Sequence, residues 1–272
     1  MSTTIGFIGG GNMATSMIGG MIASGVAPHN MCVYDPSAER LTELHKQFGL
    51  RCCENNDELI KTSDIVVIAI KPQVMAAVMK PLAASINAKR PLLISVVAGI
   101  RADSIDAWLE ERHAIVRVMP NTPALIGAGA SGLYATELVN AAQRQQAEQL
   151  LNTVGLTCWV DQESDIDLVT ALSGSGPAYF MLFIESLVKA AVEAGLKPET
   201  ALALAVQTAE GSAKLVKASD DSLAVLIDKV TSPGGTTEQA LKQFRTQGLE
   251  QLVAKAFDAA RLRSAELADE LG

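Results

Sequence analysis

Along the first half of the chain, short apolar runs alternate with longer stretches of mixed polarity. Residues 5–9 form an apolar run that closes in glycines, and residues 13–24 then read as a helix stopped by Gly25. Residues 31–34 read as the next strand and 38–48 as the next helix, ended by Gly49. Residues 64–70 are an almost unbroken β-branched run, the pattern of a parallel strand covered on both faces. Runs at 92–97 and 115–118 repeat it, with helices between. This alternation predicts right-handed βαβ crossovers and an α/β fold built on an open, doubly wound parallel sheet.

From about Ser164 the strand pattern stops. Residues 177–194, 199–217, 222–230, 236–246 and 248–270 all read as helices, with breaks at 195–198, 219–221, 232–235 and Gly248. Pro198 suits the first position of a helix. The expected division is an α/β domain over residues 1–163 and an all-α domain over 164–272. The second part holds 19 alanines among 109 residues and few large side chains, so a bundle of this size has a thin core by itself. A second copy of the chain is expected to complete it, making this half a dimerisation domain.

Composition narrows the classes. A hydrophobic share of 49% is too high for a disordered chain. The formal charge is −8 with no Lys/Arg cluster, which argues against a nucleic-acid or anionic-membrane partner. Aromatics make up 4%, so the core is expected to be Ala, Val, Leu, Ile and Met. The adjacent Cys52 and Cys53 suit neither zinc nor an ordinary bridge, and Cys32 and Cys158 have no ligand-like spacing; reduced thiols and no metal are expected. No basic leader precedes the first strand, and the apolar runs stop at Lys71 and Glu185, short of the ~18 residues of a membrane span. These features predict a soluble, cytoplasmic protein.

Gly9-Gly10-Gly11-Asn12-Met13-Ala14 fits the G-x-G-x-x-G/A fingerprint between a strand and a helix. Gly9 permits the tight turn, Gly11 lets the backbone approach a pyrophosphate, and Ala14 keeps helix and strand close. The phosphates then sit on amides at the helix start. This makes the first domain a Rossmann dinucleotide-binding domain, with Ile8, Gly9, Gly10, Gly11, Asn12 and Met13 as candidate cofactor contacts. Asp35, 24 residues after Gly11, is placed to accept from a ribose 2′-hydroxyl and to repel a 2′-phosphate, favouring NADH over NADPH. Asp35-Pro36-Ser37 is also good turn chemistry, and Ser37 could serve a phosphate, with Arg40 on the helix beyond.

Five motifs stand in order: Ile-Gly-Phe-Ile-Gly-Gly-Gly-Asn-Met (5–13), Ala-Ile-Lys-Pro (69–72), Arg-Val-Met-Pro-Asn-Thr-Pro (117–123), Ser-Gly-Ser-Gly-Pro-Ala-Tyr (173–179) and Ser-Pro-Gly-Gly-Thr-Thr (232–237). Together they resemble the pyrroline-5-carboxylate reductase family over essentially the whole chain. The resemblance implies NADPH- or NADH-dependent reduction of the cyclic imino acid 1-pyrroline-5-carboxylate to L-proline, the last step of proline biosynthesis. It also implies a dimer with intertwined helical domains, often assembled into a larger ring. Cofactor contacts carried over are Asn56, then Ala69, Ile70, Lys71 and Pro72, and Val96, Val97 and Ala98.

Imine reduction needs a hydride over carbon, a proton for nitrogen and a seat for the carboxylate. Ser232-Pro-Gly234-Gly235-Thr236-Thr237 reads as a helix-start nest whose amides can grip a carboxylate without an arginine. The resemblance makes Thr237 the proton donor, or hydrogen-bond partner, of the imine nitrogen, with Ser232, Gly234, Gly235 and Thr236 around the substrate. Ser175 is expected to face the cleft, and Asp220 to orient substrate from the partner chain. Lys229 departs from an amide found there in some relatives. Asn121 and Thr122 either touch nicotinamide or substrate or form a rigid turn; both readings stand. A β-hydroxyacid dehydrogenase-like enzyme is disfavoured, because residues 173–179 lack its acid/base lysine. A non-catalytic NAD(P)-binding regulator has no use for a carboxylate nest.

Overall fold

The computed structural model describes residues 3–272. By its internal packing the chain divides into two compact units. One comprises Met1–Ser175 with Ala260–Gly272, and the other Gly176–Ala259. The division thus falls later than the expected 163/164. The helix Asp165–Val169 packs on the sheet, Val169 lying against Gly132, and Ser264 near the chain end donates to Asp167 at 2.6 Å, so both ends of the helical half belong to the first unit.

The first unit is built on an eight-stranded sheet: β1 (Ile5–Ile8), β2 (Met31–Tyr34), β3 (Arg51–Cys52), β4 (Ile65–Ile68), β5 (Leu92–Ser95), β6 (Ile115–Met119), β7 (Gly129–Ala135) and β8 (Gly155–Trp159). Their order is 3-2-1-4-5-6-7-8; every pair is parallel except β6 with β7. The central strands β1, β4 and β5 are buried at every position, as continuous apolar runs between two helical layers require. Helices α1 (Asn12–Ala23), α2 (Ala38–Phe48) and α3 (Asn56–Thr62) follow β1, β2 and β3. Gly49 ends α2 in the left-handed conformation, its N–H donating to His45 O at 2.8 Å. Two cores flank the sheet, one around Met17, Met21 and Leu44, the other around Leu59, Ile68, Met75 and Ile105. Buried Arg117 on β6 pairs with Glu163 at 2.8 Å, and the same carboxylate oxygen accepts the Ala102 N–H at 2.7 Å. The four cysteines are free.

The second unit contains the helices Gly176–Glu193, Pro198–Ala218, Leu223–Lys229 and Thr236–Thr246 and the start of Leu249–Leu271. Among its residues only Gly176 and Ala201 are buried. Apolar side chains stand open along it: Phe180 at 72%, Leu223 at 62% and Leu252 at 64%. The helical stretch Asp165–Glu193, 29 residues, is by length and composition long and apolar enough to cross a membrane, with 17% of its most apolar window buried. The unbroken apolar runs inside it remain shorter than a span, residues 178–184 ending at Glu185. Runs are cut by each polar residue, whereas a helix spanning several of them carries few charges in total.

Candidate active site

The expected cofactor residues gather at the carboxyl ends of parallel strands. The registers Ile8↔Tyr34, Ile8↔Ile68 and Ile68↔Ser95 bring the ends of β2, β1, β4 and β5 level. The strand order reverses between β1 and β4, and ligands of open α/β sheets enter at such a switch point. Gly9 leaves β1 at φ +96°, and a Cβ there would stand 2.6 Å from the Ala69 carbonyl oxygen, so the turn admits only glycine. Gly10 is buried against Leu44, while Gly11 is exposed with open space where a Cβ would be. From Gly11 helix α1 begins with no side-chain cap and no acidic residue in its first turn. Its first amides therefore lack intrahelical partners and face an open approach, the arrangement that binds an anion. Asn12 is exposed and Met13 half-buried; the Ile8 side chain lies in the core, which leaves only its backbone for a ligand.

Asp35 closes β2 with both carboxylate oxygens engaged. Oδ2 accepts the Gly10 N–H at 2.8 Å and Oδ1 the Ser37 N–H at 2.9 Å, each retaining a second lone pair. Pro36 and Ser37 are exposed, and the Ser37 hydroxyl caps α2 by accepting the Arg40 N–H at 3.2 Å. Asn56 opens α3 with its Oδ1 buried and unpartnered. Such an atom is costly without a donor, and a ligand hydroxyl or amide would satisfy it. Ala69 and Ile70 are half-buried after β4; Lys71 is exposed and extended ahead of Pro72, which starts a 3-10 turn. After β5, Val97 packs into the core, Val96 is half-buried and Ala98 exposed. An open glycine at an uncapped helix start, together with a buried acceptor wanting a donor, fits a dinucleotide. Among the described residues no group of three or more His, Cys, Asp or Glu could hold a metal ion.

Asn121, left open by the sequence, is buried with both ends of its amide used. Nδ2 donates to the Ser173 carbonyl at 2.9 Å and Oδ1 accepts the Ala130 N–H at 2.9 Å, so it serves the turn. The segment it grips, Thr170–Gly174, is a π-helical turn, closed by the Ser175 N–H donating to Thr170 O at 2.8 Å. Ser175 is half-buried.

In the helical unit, Gly234 turns at φ +69° and Gly235 precedes the helix Thr236–Thr246, which has no side-chain cap. The Gly234 N–H donates to Glu238 Oε2 at 2.8 Å and the Gly235 N–H to Ser232 O at 2.9 Å. Two amides expected to face a ligand are thus engaged inside the loop. The first-turn amides of Thr236 and Thr237 lack intrahelical partners. Thr237 is half-buried, and Ser232 and Thr236 are exposed. Asp220 is exposed on the turn before Leu223–Lys229, and its neighbour Asp221 takes the Lys229 ammonium.

A family model described as pyrroline-5-carboxylate reductase dimerisation matches residues 163–267. A second, described as NADP oxidoreductase, coenzyme F420-dependent, matches residues 4–99. The chain is 48% identical over 273 residues to a pyrroline-5-carboxylate reductase of Pseudomonas aeruginosa, covering 100% of both chains. The chain belongs to the pyrroline-5-carboxylate reductase family. Solved members share its fold: a pyrroline-5-carboxylate reductase from Coxiella burnetii superposes with TM-score 0.95 at 40% identity, covering 98% of this chain and 99% of that one. The Plasmodium falciparum reductase, solved with NADP bound, gives TM-score 0.86 at 32% identity and covers 98% of each chain. The sequence left Arg40, whose Nε donates to Gly10 O at 2.6 Å, without an assigned role, and left Asn121 between two readings that its bond to Ser173 decides. A cation five residues beyond the strand-end acid was the available signal for the first. The second depends on a contact between segments far apart in sequence and had none.

Proposed function

We propose that the protein reduces 1-pyrroline-5-carboxylate to L-proline with NADPH or NADH, the last step of proline biosynthesis. The observation that carries this reading is the full-length likeness, 48% identity over 100% of both chains, because it spans the dinucleotide loop and the nest together. A bound reduced nicotinamide supplies the hydride. The amides at the start of α1 hold its pyrophosphate, with Gly9, Gly10, Gly11, Asn12 and the Ile8 and Met13 backbone around it. Asp35, Pro36 and Ser37 flank the adenosine ribose, and Asn56, Ala69 through Pro72 and Val96 through Ala98 line the rest. In the helical domain, taken functionally as residues 164–272, the amides of Thr236 and Thr237 hold the substrate carboxylate, with Ser232, Gly234 and Gly235 shaping the turn. The Thr237 hydroxyl is the proton donor to the ring nitrogen, or the hydrogen-bond partner of a nitrogen already protonated from solvent, as the ring carbon takes the hydride. An imine is readily protonated, so positioning supplies much of the rate. Ser175 borders the substrate, and Asp220 orients it from a partner chain.

Self-association runs through the helical domain, whose open side chains at Phe180, Leu223 and Leu252 are those a second copy would cover. The same cover accounts for the apolar stretch 165–193 without a membrane. A larger ring built from such dimers, in the cytoplasm and without nucleic acid, completes the reading.

The test is loss of reduced-nicotinamide absorbance on adding 1-pyrroline-5-carboxylate, with NADH and NADPH in parallel. Substrate-dependent oxidation is expected; binding of both cofactors without turnover would leave a nucleotide-binding regulator instead. Thr237→Ala is expected to lower kcat by about 100-fold with cofactor Kd within about twofold. Unchanged turnover would remove Thr237 from its role.

A further inference from the structure

We propose that Arg40 is a positioning residue for the dinucleotide: with Asp35 it grips the Gly10 peptide from both sides and fixes the turn that presents the start of α1 to the pyrophosphate. The proposal rests on the reading of this loop as a nicotinamide dinucleotide site. Gly10 is held at its N–H by Asp35 Oδ2, 2.8 Å away, and at its carbonyl by Arg40 Nε, 2.6 Å away. The same guanidinium donates through Nη2 to the Thr15 hydroxyl, and that hydroxyl donates to Gly11 O at 2.9 Å. Its remaining nitrogen, Nη1, reaches Glu43 at 2.7 Å. One planar side chain from α2 therefore ties together the second glycine, the first turn of α1 and an acid of its own helix, with 27% of its surface exposed.

Arginine does this because its donors form a rigid fork spread over three nitrogens; a lysine's donors all leave one nitrogen and do not span acceptors set as far apart as these. The same geometry decides against the other use of a cation beside an adenosine ribose. A seat for a 2′-phosphate needs donors free to turn toward it. Here all three nitrogens are anchored to the chain, which fixes the direction of the two remaining N–H groups, and Glu43 offsets the charge. Arg40 thus supports the part of the cofactor that NADH and NADPH have in common.

The experiment is titration of the full-length protein and of Arg40→Gln and Arg40→Lys with NADH and NADPH, followed by fluorescence, alongside steady-state kinetics. We expect Kd for both cofactors to rise by a common factor of about 10, with the NADH/NADPH ratio unchanged and kcat at saturating cofactor within about twofold. Arg40→Lys, which keeps the charge and loses the fork, is expected to lose nearly as much as Arg40→Gln. Thr15→Val removes one acceptor and is expected to give a smaller rise, again shared by both cofactors; it serves if the Arg40 variants fail to fold. Weakening confined to NADPH would make Arg40 a phosphate seat and overturn the proposal. So would wild-type affinities in the variants. If the unaltered protein bound neither cofactor, the loop reading itself would fall, a result distinct from variants that bind as well as the parent.

Discussion

At the scale of single residues, the motifs that a backbone conformation demands were legible and the side-chain clasps were not. Gly9 is forced by its positive φ and the nearby Ala69 carbonyl, and such constraints leave glycine in the sequence where it can be read. Arg40 and Asn121 act through partners 30 and 52 positions away; the spacing from Asp35 flags the cation, but no local spacing names either partner. Asp64 is a further clasp of this kind. At the start of β4 its Oδ2 accepts both the N–H and the hydroxyl of Thr4, and Lys89 lies 3.3 Å from Oδ1. The Thr4 N–H, with smaller help from the Thr4 hydroxyl and Lys89, holds the Asp64 carboxyl below its ordinary value. A depressed carboxyl favours the folded state above the unfolded pKa of 3.8, and that contribution is lost as the pH falls through the folded-state value. Asp64→Asn is therefore expected to destabilise at pH 7, with the deficit shrinking in acid. For a side chain 52% exposed, screening leaves about 0.5–1 kcal/mol. Urea titrations of both proteins at pH 7 and pH 3 check it; a deficit independent of pH would contradict the assignment.

At the scale of elements, the buried strands and the long helices were open to reading because their patterns are strong. Residues 64–70 are β-branched almost throughout, and the helices of the second half are punctuated by glycine and proline. The strands that escaped have physical reasons. β3 is two residues long, β7 is the mixed run Gly-Ala-Ser-Gly-Leu-Tyr-Ala, and β8 lies at the sheet edge with half-buried and exposed positions alternating. The π-helical turn Thr170–Gly174 is likewise set by tertiary contact. A Cβ at Gly174 would lie 2.5 Å from Met119 Cε, and Asn121 holds the neighbouring carbonyl. Turns of this type concentrate at functional sites. Asn121→Leu would leave the Ser173 carbonyl and the Ala130 N–H unpaired, and we expect a loss of about 2–3 kcal/mol in chemical denaturation. If the turn also sets Ser175 for the substrate, KM for 1-pyrroline-5-carboxylate rises in this variant while cofactor Kd stays put. A variant as stable as the parent would show that these bonds are dispensable.

At the scale of the whole molecule, the two units stand in contrast. The first has two apolar cores around a sheet; the second, Gly176–Ala259, buries only Gly176 and Ala201 among its described residues. The thinness of that core was foreseeable from its alanine content, whereas the identity of the open side chains required the fold. Phe180→Glu places a charge on a position 72% exposed in the single chain. If a second copy covers it, the variant is expected to sediment as a monomer, because an unpaired charge in an apolar interface costs several kcal/mol. An unaltered assembly would place the interface elsewhere. A segment without an interior of its own also changes what concentration means for this protein. If a second copy supplies that interior, the helices gain it only by collision, and their refolding is expected to follow second-order kinetics while the sheet refolds at a rate indifferent to dilution. Melting of the helical part should then shift upward with protein concentration, and simple dilution acts on it as a denaturant does.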